Sequence, residues 1–443
     1  MATAREVAML TLAACERQGA WSDGHLKRKL KEAHLDSRDA ALATRLCFGV
    51  LQNRMLIDWH LSSFCHIPLH KLDLNVLCIL RVAVYQLLFL DKIPSSAAVN
   101  EAVKLTKKYC RNPRASGMVN GILRSILRQE SLAMPDGADE TERLSIMYSH
   151  PRWLVEEFLP VLGIEGTRAL LSADNEQPPI TAQVNICKAT VQQVIEALGA
   201  EGVAARAHPW MENCLILTGT GNLEQLKAFR DGLFYVQDCA ARLAVTVAQL
   251  QPGMKVLDCC AAPGGKSFAA GMDMKNRGEV ISCDIHPHKI KILEAGKERL
   301  GIGIISPKLQ NAAEPNEEWF GAFDAVITDV PCSGLGIIRK KPDIRYKDPE
   351  PLKGLPAVQR AILDNCSQYV KPGGVLIYAT CTLLKRENED VVVDFLAKHP
   401  EFCSEQLNLP VSGGEREMLT FWPHIHGTDG FFAAKLRKKE EPL

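Results

Sequence analysis

An excess of either charge is missing from this sequence: 52 lysines and arginines face 52 aspartates and glutamates across 443 residues, a formal net charge of +0. Global electrostatics therefore draw in no polyanion, and any nucleic-acid surface has to be a local patch. No secretion signal opens the chain, because Met1-Ala2-Thr3-Ala4-Arg5 lacks a basic stretch followed by an apolar one. No long apolar run reads as a membrane span. The longest, Leu74 to Leu90, contains Asn75, Arg81 and Gln86, which are costly in lipid, so a buried core helix is the reading there. Disulfide spacing is absent too. The 15 cysteines, an odd number, read as free thiols in a reducing cytosol. Cys65, His66 and His70 lie close together, as do His424 and His426, but neither set reaches four ligands and no metal is expected. What remains, 47% hydrophobic and 23% charged, is an ordinary globular composition, and the length implies two or three domains.

The first 132 residues read as all-helical. Apolar residues recur at helical spacing over Ala4–Cys15, Leu42–Leu51, Leu74–Leu90, Ala97–Tyr109 and Met118–Leu127, with no competing alternation. Cations gather at Lys27, Arg28, Lys29 and Lys31, then at Lys104, Lys107, Lys108, Arg111 and Arg114, and again at Arg124 and Arg128. These are either solvated helix faces or a phosphate-binding surface that gains affinity by counterion release. Met134–Glu142, rich in proline, glycine and aspartate, reads as a linker. A helix over Tyr148–Leu162 follows, then short strands at Ile180–Asn185 and Cys214–Leu217 around a helix at Val191–Leu198. This is a small α+β connector over 143–231. From 232 to 443, short β-rich runs alternate with helical segments, which signals a doubly wound α/β domain.

Met254–Asp258 is an apolar strand that runs into Cys259-Cys260-Ala261-Ala262-Pro263-Gly264-Gly265-Lys266, with a helix from Ser267. A strand, a Gly-rich turn and a helix start bring backbone N–H groups and small residues around a ligand. The turn is neither G-x-G-x-x-G nor a P-loop. About 20 residues on, Asp284 ends the second strand, placed to accept from ribose hydroxyls. The fourth strand, Phe323–Thr328, ends in Asp329-Val330-Pro331-Cys332-Ser333-Gly334, and the fifth, Gly374–Ala379, ends in Thr380-Cys381-Thr382. Both thiols thus lie at the carboxyl ends of strands, where open α/β sheets bind ligands. Such a pair suits cytosine. Carbon 5 of that base is too poor a nucleophile to attack a methyl sulfonium, and adding a thiolate at carbon 6 makes it an enamine carbon that can. Asp329 is placed to hydrogen-bond the N3/N4 edge of the ring. Chemistry alone leaves open which thiol attacks. Arg339, Lys340, Lys341 and Arg345, after the fourth strand, read as phosphate or base contacts.

With these motifs in place the chain resembles, over nearly its whole length, the bacterial ribosomal RNA cytosine-C5 methyltransferases of the RsmB (Sun, Fmu) type. The resemblance rests on Leu257 through Lys266, Asp329 through Gly334 and Thr380-Cys381-Thr382. Val236-Gln237-Asp238, Arg339 through Arg345 and His426 through Phe432 support it. The N-terminal helices, above all Val119-Asn120-Gly121-Ile122-Leu123, are similar to NusB-type RNA-binding domains. The resemblance implies a NusB-like helical domain over 1–132, the connector, and a Rossmann-like methyltransferase domain. It implies S-adenosylmethionine as cofactor, touched by Cys260, Ala261, Ala262, Pro263, Gly264, Gly265, Lys266, Asp284 and Asp329. It makes Cys381 the nucleophile and Cys332 the thiol that assists release of the product. Where the family has an aspartate after the third strand, this chain has Asn311, whose amide still hydrogen-bonds. The implied substrate is 16S ribosomal RNA before full subunit assembly, and the implied enzyme a cytoplasmic monomer that needs no membrane. Transfer RNA is the alternative substrate. A non-catalytic RNA-binding protein with a relic cofactor domain is the rival class, opposed by the intact thiol pair and Gly-rich loop.

Overall fold

The computed structural model describes residues 2–19, 21–135, 139–411, 413 and 415–440. They fall into two compact units, Met1–Glu176 with Ile338–Lys347, and Gln177–Ile337 with Asp348–Leu443.

The first unit is helical: α1 (Ala4–Gln18), α2 (Ser22–Ala33), α3 (Ser37–Phe64), α4 (Leu74–Phe89), α5 (Ser95–Tyr109), α6 (Ala115–Leu127), α7 (Glu140–Tyr148) and α8 (Arg152–Ala173). The apolar run read as a core helix is α4. Its start is fixed by Asp73, whose carboxylate accepts from the Asn75 and Val76 amides at 2.9 and 3.2 Å. Arg81 is tolerated inside because its guanidinium meets Asp58 at 2.7 Å and Glu16 at 3.0 Å. α3 kinks at Asn53, whose side-chain amide donates to the Gly49 carbonyl at 2.9 Å. Gly49 has to be glycine, since a Cβ there would lie 2.0 Å from the Tyr85 ring. Of the expected linker, residues 136–138 lie outside the described residues. Helix begins again at Glu140, sooner than expected, because Asp139 caps α7 by accepting from the Thr141 amide at 2.9 Å. The single helix expected over Tyr148–Leu162 is broken at its start, where α7 stops at Tyr148 and Pro151 precedes α8.

The second unit contains two sheets. A four-stranded sheet is ordered β2 (Ala204–Ala207), β3 (Cys214–Thr218), β1 (Ile180–Val184), β4 (Phe234–Val236), with α9 (Val191–Ala200) and α10 (Lys227–Arg230) beside it. Then come α11 (Cys239–Thr246), β5 (Lys255–Asp258), α12 (Gly265–Asp273), β6 (Glu279–Asp284), α13 (Pro287–Leu300), β7 (Ile305–Leu309) and β8 (Phe323–Asp329). The chain ends with α14 (Leu355–Ser367), β9 (Val370–Thr380), α15 (Glu389–Lys398), β10 (Phe402–Glu405), β11 (Met418–Phe421), α16 (Pro423–His426) and β12 (Phe431–Lys438). These strands form an eight-stranded sheet in the order β10-β12-β9-β8-β5-β6-β7, with β11 on β12. β9, β8, β5, β6 and β7 run parallel. Alternate residues serve opposite faces. Val256, Ala325, Ile327 and Ile377 pack with α11 and α12, while Leu257, Val326, Leu376 and Tyr378 pack with α14 and α15. Burial on both faces accounts for the near-continuous apolar strands. The parallel strands all end on one edge, and β5 sits where the order reverses, so a crevice opens outside Asp258.

Among the described residues no helix is long and apolar enough to cross a membrane. One sequence expectation fails here. Arg345 is not on a surface: it is 0% exposed inside the helical unit. Its guanidinium donates to the Asn175 side chain at 2.7 Å and to the carbonyls of Ser149 and Asp174 at 3.2 Å, with Gln52 and Tyr148 at 3.3 Å. Cationic sequence reports charge and not exposure. Arg339, 7% exposed, is likewise withdrawn from solvent.

Candidate active site

β5 delivers Asp258 to the crevice, and the chain turns through Cys259–Gly264 into α12. The turn uses some of its own amides: Ala261 N–H donates to the Cys283 carbonyl at 2.7 Å and Gly264 N–H to the Ala261 carbonyl at 2.8 Å. Gly264 has φ +116°, and a Cβ there would lie 2.3 Å from the Phe268 ring, so only glycine closes this turn. Under the turn, Ser267 donates to Asp258 Oδ2 and Ser282 donates to Ser267, each at 2.7 Å. Burial pushes Asp258 up to about 6, against the pull of the Ser267 hydrogen bond and the Lys266 charge.

Lys266, in the first turn of α12, is 7% exposed. Its ammonium meets Asp329 Oδ2 at 2.6 Å and lies 5.0 Å from the centre of the Phe431 ring. Burial alone would lower the Lys266 pKa; the Asp329 charge and hydrogen bond outweigh it and leave the group above its ordinary value. Lys266 was expected at the cofactor and Asp329 at both the cofactor and the base, and the structure makes them one ion pair.

The two thiols also come together, with Cys332 and Cys381 sulfurs 3.2 Å apart, both half-buried. The hydrogen bond with Cys381, then burial, then the charges of Glu387 and Asp329 hold the Cys332 thiol well above its ordinary pKa, so it stays protonated at neutral pH. The loops fit by close backbone approach. Gly336 N–H donates to the Cys381 carbonyl at 2.9 Å and Gly430 N–H to the Gly336 carbonyl at 2.7 Å.

The expected cofactor residues follow the strand ends in sheet order: the turn after β5, Asp284 at the end of β6, Asn311 just past β7. Asp284 accepts from the His286 amide at 3.0 Å and meets Lys289 at 3.3 Å. Asn311 is committed to its own turn, accepting from the Ala313 amide at 3.1 Å and donating to Glu314 at 2.9 Å. Ile285, next to Asp284, is 56% exposed. Gln237, read from the sequence only as part of a supporting motif, has its amide where a Cβ on Gly265 would come within 2.9 Å. A carboxylate for hydroxyls, an exposed aliphatic residue beside it and a turn of small residues fit a nucleoside carrying an aminoacyl chain.

A family model described as 16S rRNA methyltransferase RsmB/F matches residues 245–437. The NusB family matches 2–128, and a ferredoxin-like domain of RsmF/B-like methyltransferases matches 150–224. A probable ribosomal RNA small subunit methyltransferase B of Bacillus subtilis (strain 168) is 35% identical, over 98% of each chain. The chain belongs to the RsmB/F family of 16S rRNA methyltransferases. Ribosomal RNA small subunit methyltransferase B of Klebsiella pneumoniae subsp. pneumoniae is 31% identical over 91% of each chain. The crystal structure of PH0851 superposes with a TM-score of 0.83 at 28% identity, over 99% of each chain. As an RsmB/F chain it carries the NusB-like helical domain, the connector, now seen as ferredoxin-like, and a Rossmann-like domain for S-adenosylmethionine.

Proposed function

We propose that this RsmB/F chain methylates carbon 5 of a cytosine in 16S ribosomal RNA through a covalent cysteine adduct. The observation that carries this reading is the 3.2 Å approach of two thiols at the ends of neighbouring strands β8 and β9. S-adenosylmethionine, when bound, supplies an electrophilic methyl group. Cys381 adds as thiolate to carbon 6 and makes carbon 5 nucleophilic. Asp329, oriented by Lys266, hydrogen-bonds the N3/N4 edge and stabilises charge on the ring. Once carbon 5 is methylated, water accepts its proton, the Cys381 sulfur leaves carbon 6 with its electron pair and takes the Cys332 proton, and the C5–C6 double bond re-forms. Cys332, adjacent and protonated, assists that release. The turn Cys260–Lys266, Asp284 and Asn311 hold the cofactor, with Asn311 contributing least because its side chain is tied to Glu314.

The target base has to leave any helix to meet a sulfur, so the substrate is exposed RNA, methylated in the cytoplasm by a monomer before assembly covers it. On the helical unit, Lys104, Lys107, Arg124 and Arg128 line two adjoining clefts of about 490 and 510 Å³ along α5 and α6. Gly117 and Gly121 leave open space there. This supports RNA as the partner.

The test is transfer of labelled methyl groups to unmodified small-subunit RNA by wild type, Cys381→Ala and Cys332→Ala, resolved on denaturing gels. Labelled 5-methylcytosine from wild type, none from Cys381→Ala and a protein–RNA adduct with Cys332→Ala are expected. Methylation by Cys381→Ala but not Cys332→Ala would reverse the two roles. No transfer by wild type would leave a binding protein.

A further inference from the structure

The two sulfurs lie on separate strands, and neither β8 nor β9 by itself fixes the gap between them. Two consecutive residues after β9 brace both sides of it. Glu387 and Asn388 are both 0% exposed. Glu387 Oε2 accepts from the Ser333 amide at 2.9 Å and from the Gln359 side-chain amide at 2.8 Å. The same Gln359 nitrogen donates to the Pro331 carbonyl at 3.0 Å. The neighbours of Cys332 on both sides are therefore held. Asn388 does the same for Cys381: its Oδ1 accepts from the Thr380 hydroxyl at 2.6 Å and its Nδ2 donates to the Thr382 carbonyl at 3.1 Å. The hydroxyls of Ser333 and Thr382, each next to a cysteine, share a hydrogen bond at 2.6 Å. The Tyr378 hydroxyl pins the turn itself by donating to the Glu387 carbonyl at 2.6 Å.

A fully buried carboxylate is an expensive way to hold two N–H groups, and Glu387 Oε1 has no hydrogen-bond partner. We infer that Glu387 and Asn388 are positioning residues, Glu387 for the thiol of Cys332 and Asn388 for the thiol of Cys381, and that together they set the distance across which the two sulfurs work. This rests on the two-thiol reading above. It adds that adjacent residues govern opposite halves of the reaction: Asn388 governs attack on carbon 6, Glu387 the later release. The negative charge of Glu387 next to the Cys332 loop also favours the protonated thiol, the form that release requires.

The two roles separate experimentally in the full-length protein with S-adenosylmethionine and unmodified small-subunit RNA. In Glu387→Ala, first-turnover methyl transfer stays within about threefold of wild type, while steady-state turnover falls about a hundredfold and the protein–RNA adduct accumulates. In Asn388→Ala, the first turnover itself falls about a hundredfold and no adduct appears. Glu387→Gln keeps an oxygen for the Ser333 amide and clears most of the adduct. Gln359→Leu, which removes the amide between Pro331 and Glu387, gives a weaker form of the Glu387→Ala signature and serves if that variant does not fold. Equal loss of first turnover and steady state in both alanine variants, with S-adenosylmethionine affinity lowered in parallel, would overturn the inference and leave a packing role. Cys332→Ala runs alongside. If it gives an adduct and neither Glu387→Ala nor Gln359→Leu does, the inference fails and the two-thiol reading stands; if it gives none, that reading fails first.

Discussion

Replacing Arg345 by methionine, which keeps the apolar length of the side chain and removes its charge, tests whether this arginine belongs to the fold or to the RNA surface. Its guanidinium supplies five acceptors. Two of them retain another donor: the Tyr148 carbonyl has the Asn175 amide at 2.8 Å, and the Ser149 carbonyl has the Tyr346 hydroxyl at 3.3 Å. The bonds to Gln52, Asp174 and the Asn175 side chain are the net loss. At about 1.5 kcal/mol for each hydrogen bond from a charged donor, they come to about 4 to 5 kcal/mol. The Asp174 carboxylate, 0% exposed, also loses the positive charge acting on it. Urea unfolding of the full chain should show the helical unit melting earlier by that amount. Amide exchange should quicken at Leu56, whose N–H rests on the Ser149 hydroxyl at 3.2 Å. RNA affinity of the folded variant should be unchanged in magnitude and in salt slope. A variant within about 1 kcal/mol of wild type that bound RNA more weakly would refute this reasoning and return Arg345 to the surface.

Asp258 makes stability fall as pH rises. Its folded pKa of about 6 lies above its ordinary 3.8, so its contribution is full below 3.8 and is lost as pH passes through about 6. Wild type should therefore lose about 2.5 kcal/mol relative to Asp258→Asn between pH 4 and pH 7, and parallel urea-unfolding free energies across that range would sink the claim. Gly336→Ala would place a Cβ 2.0 Å from the Gly430 carbonyl oxygen, which has to break the run of backbone hydrogen bonds reaching Cys381. Methyl transfer should drop about a hundredfold with amide protection of the helical unit unchanged, and a fully active Gly336→Ala enzyme would disprove the close approach.

What the sequence made legible follows one physical rule. Patterns that repeat within a few residues, such as the period of α4, the apolar strands β5, β8 and β9, and the Gly-rich turn, are written where they act. The placement of both thiols at strand ends was readable for the same reason, because each strand and its terminal motif are contiguous. The Lys266–Asp329 pair was not readable as a pair. It joins residues brought together by the register that sets Asp258 beside Ile327, and no local pattern encodes that register. Asn311 carried a second lesson. Its position after β7 was right, but its amide is spent on Ala313 and Glu314, which only three-dimensional geometry reveals. Arg345 failed for the plainest reason: basic residues in a loop look alike whether solvent or a helical core receives them.

Ile338–Lys347 is part of the helical unit although 161 residues separate it from Glu176. At about 5–20 residues per second, a ribosome takes on the order of 10 to 30 s to bridge that interval. Throughout it the acceptors at Gln52, Ser149 and Asn175 await the side chain of Arg345. A fragment cut at Glu176 is accordingly an unfinished fold, to be completed by adding the peptide 338–347 in trans. In the growing chain the two units are interleaved in time: the helical unit is completed after the cofactor turn and Cys332 have been made, but before β9 and Cys381.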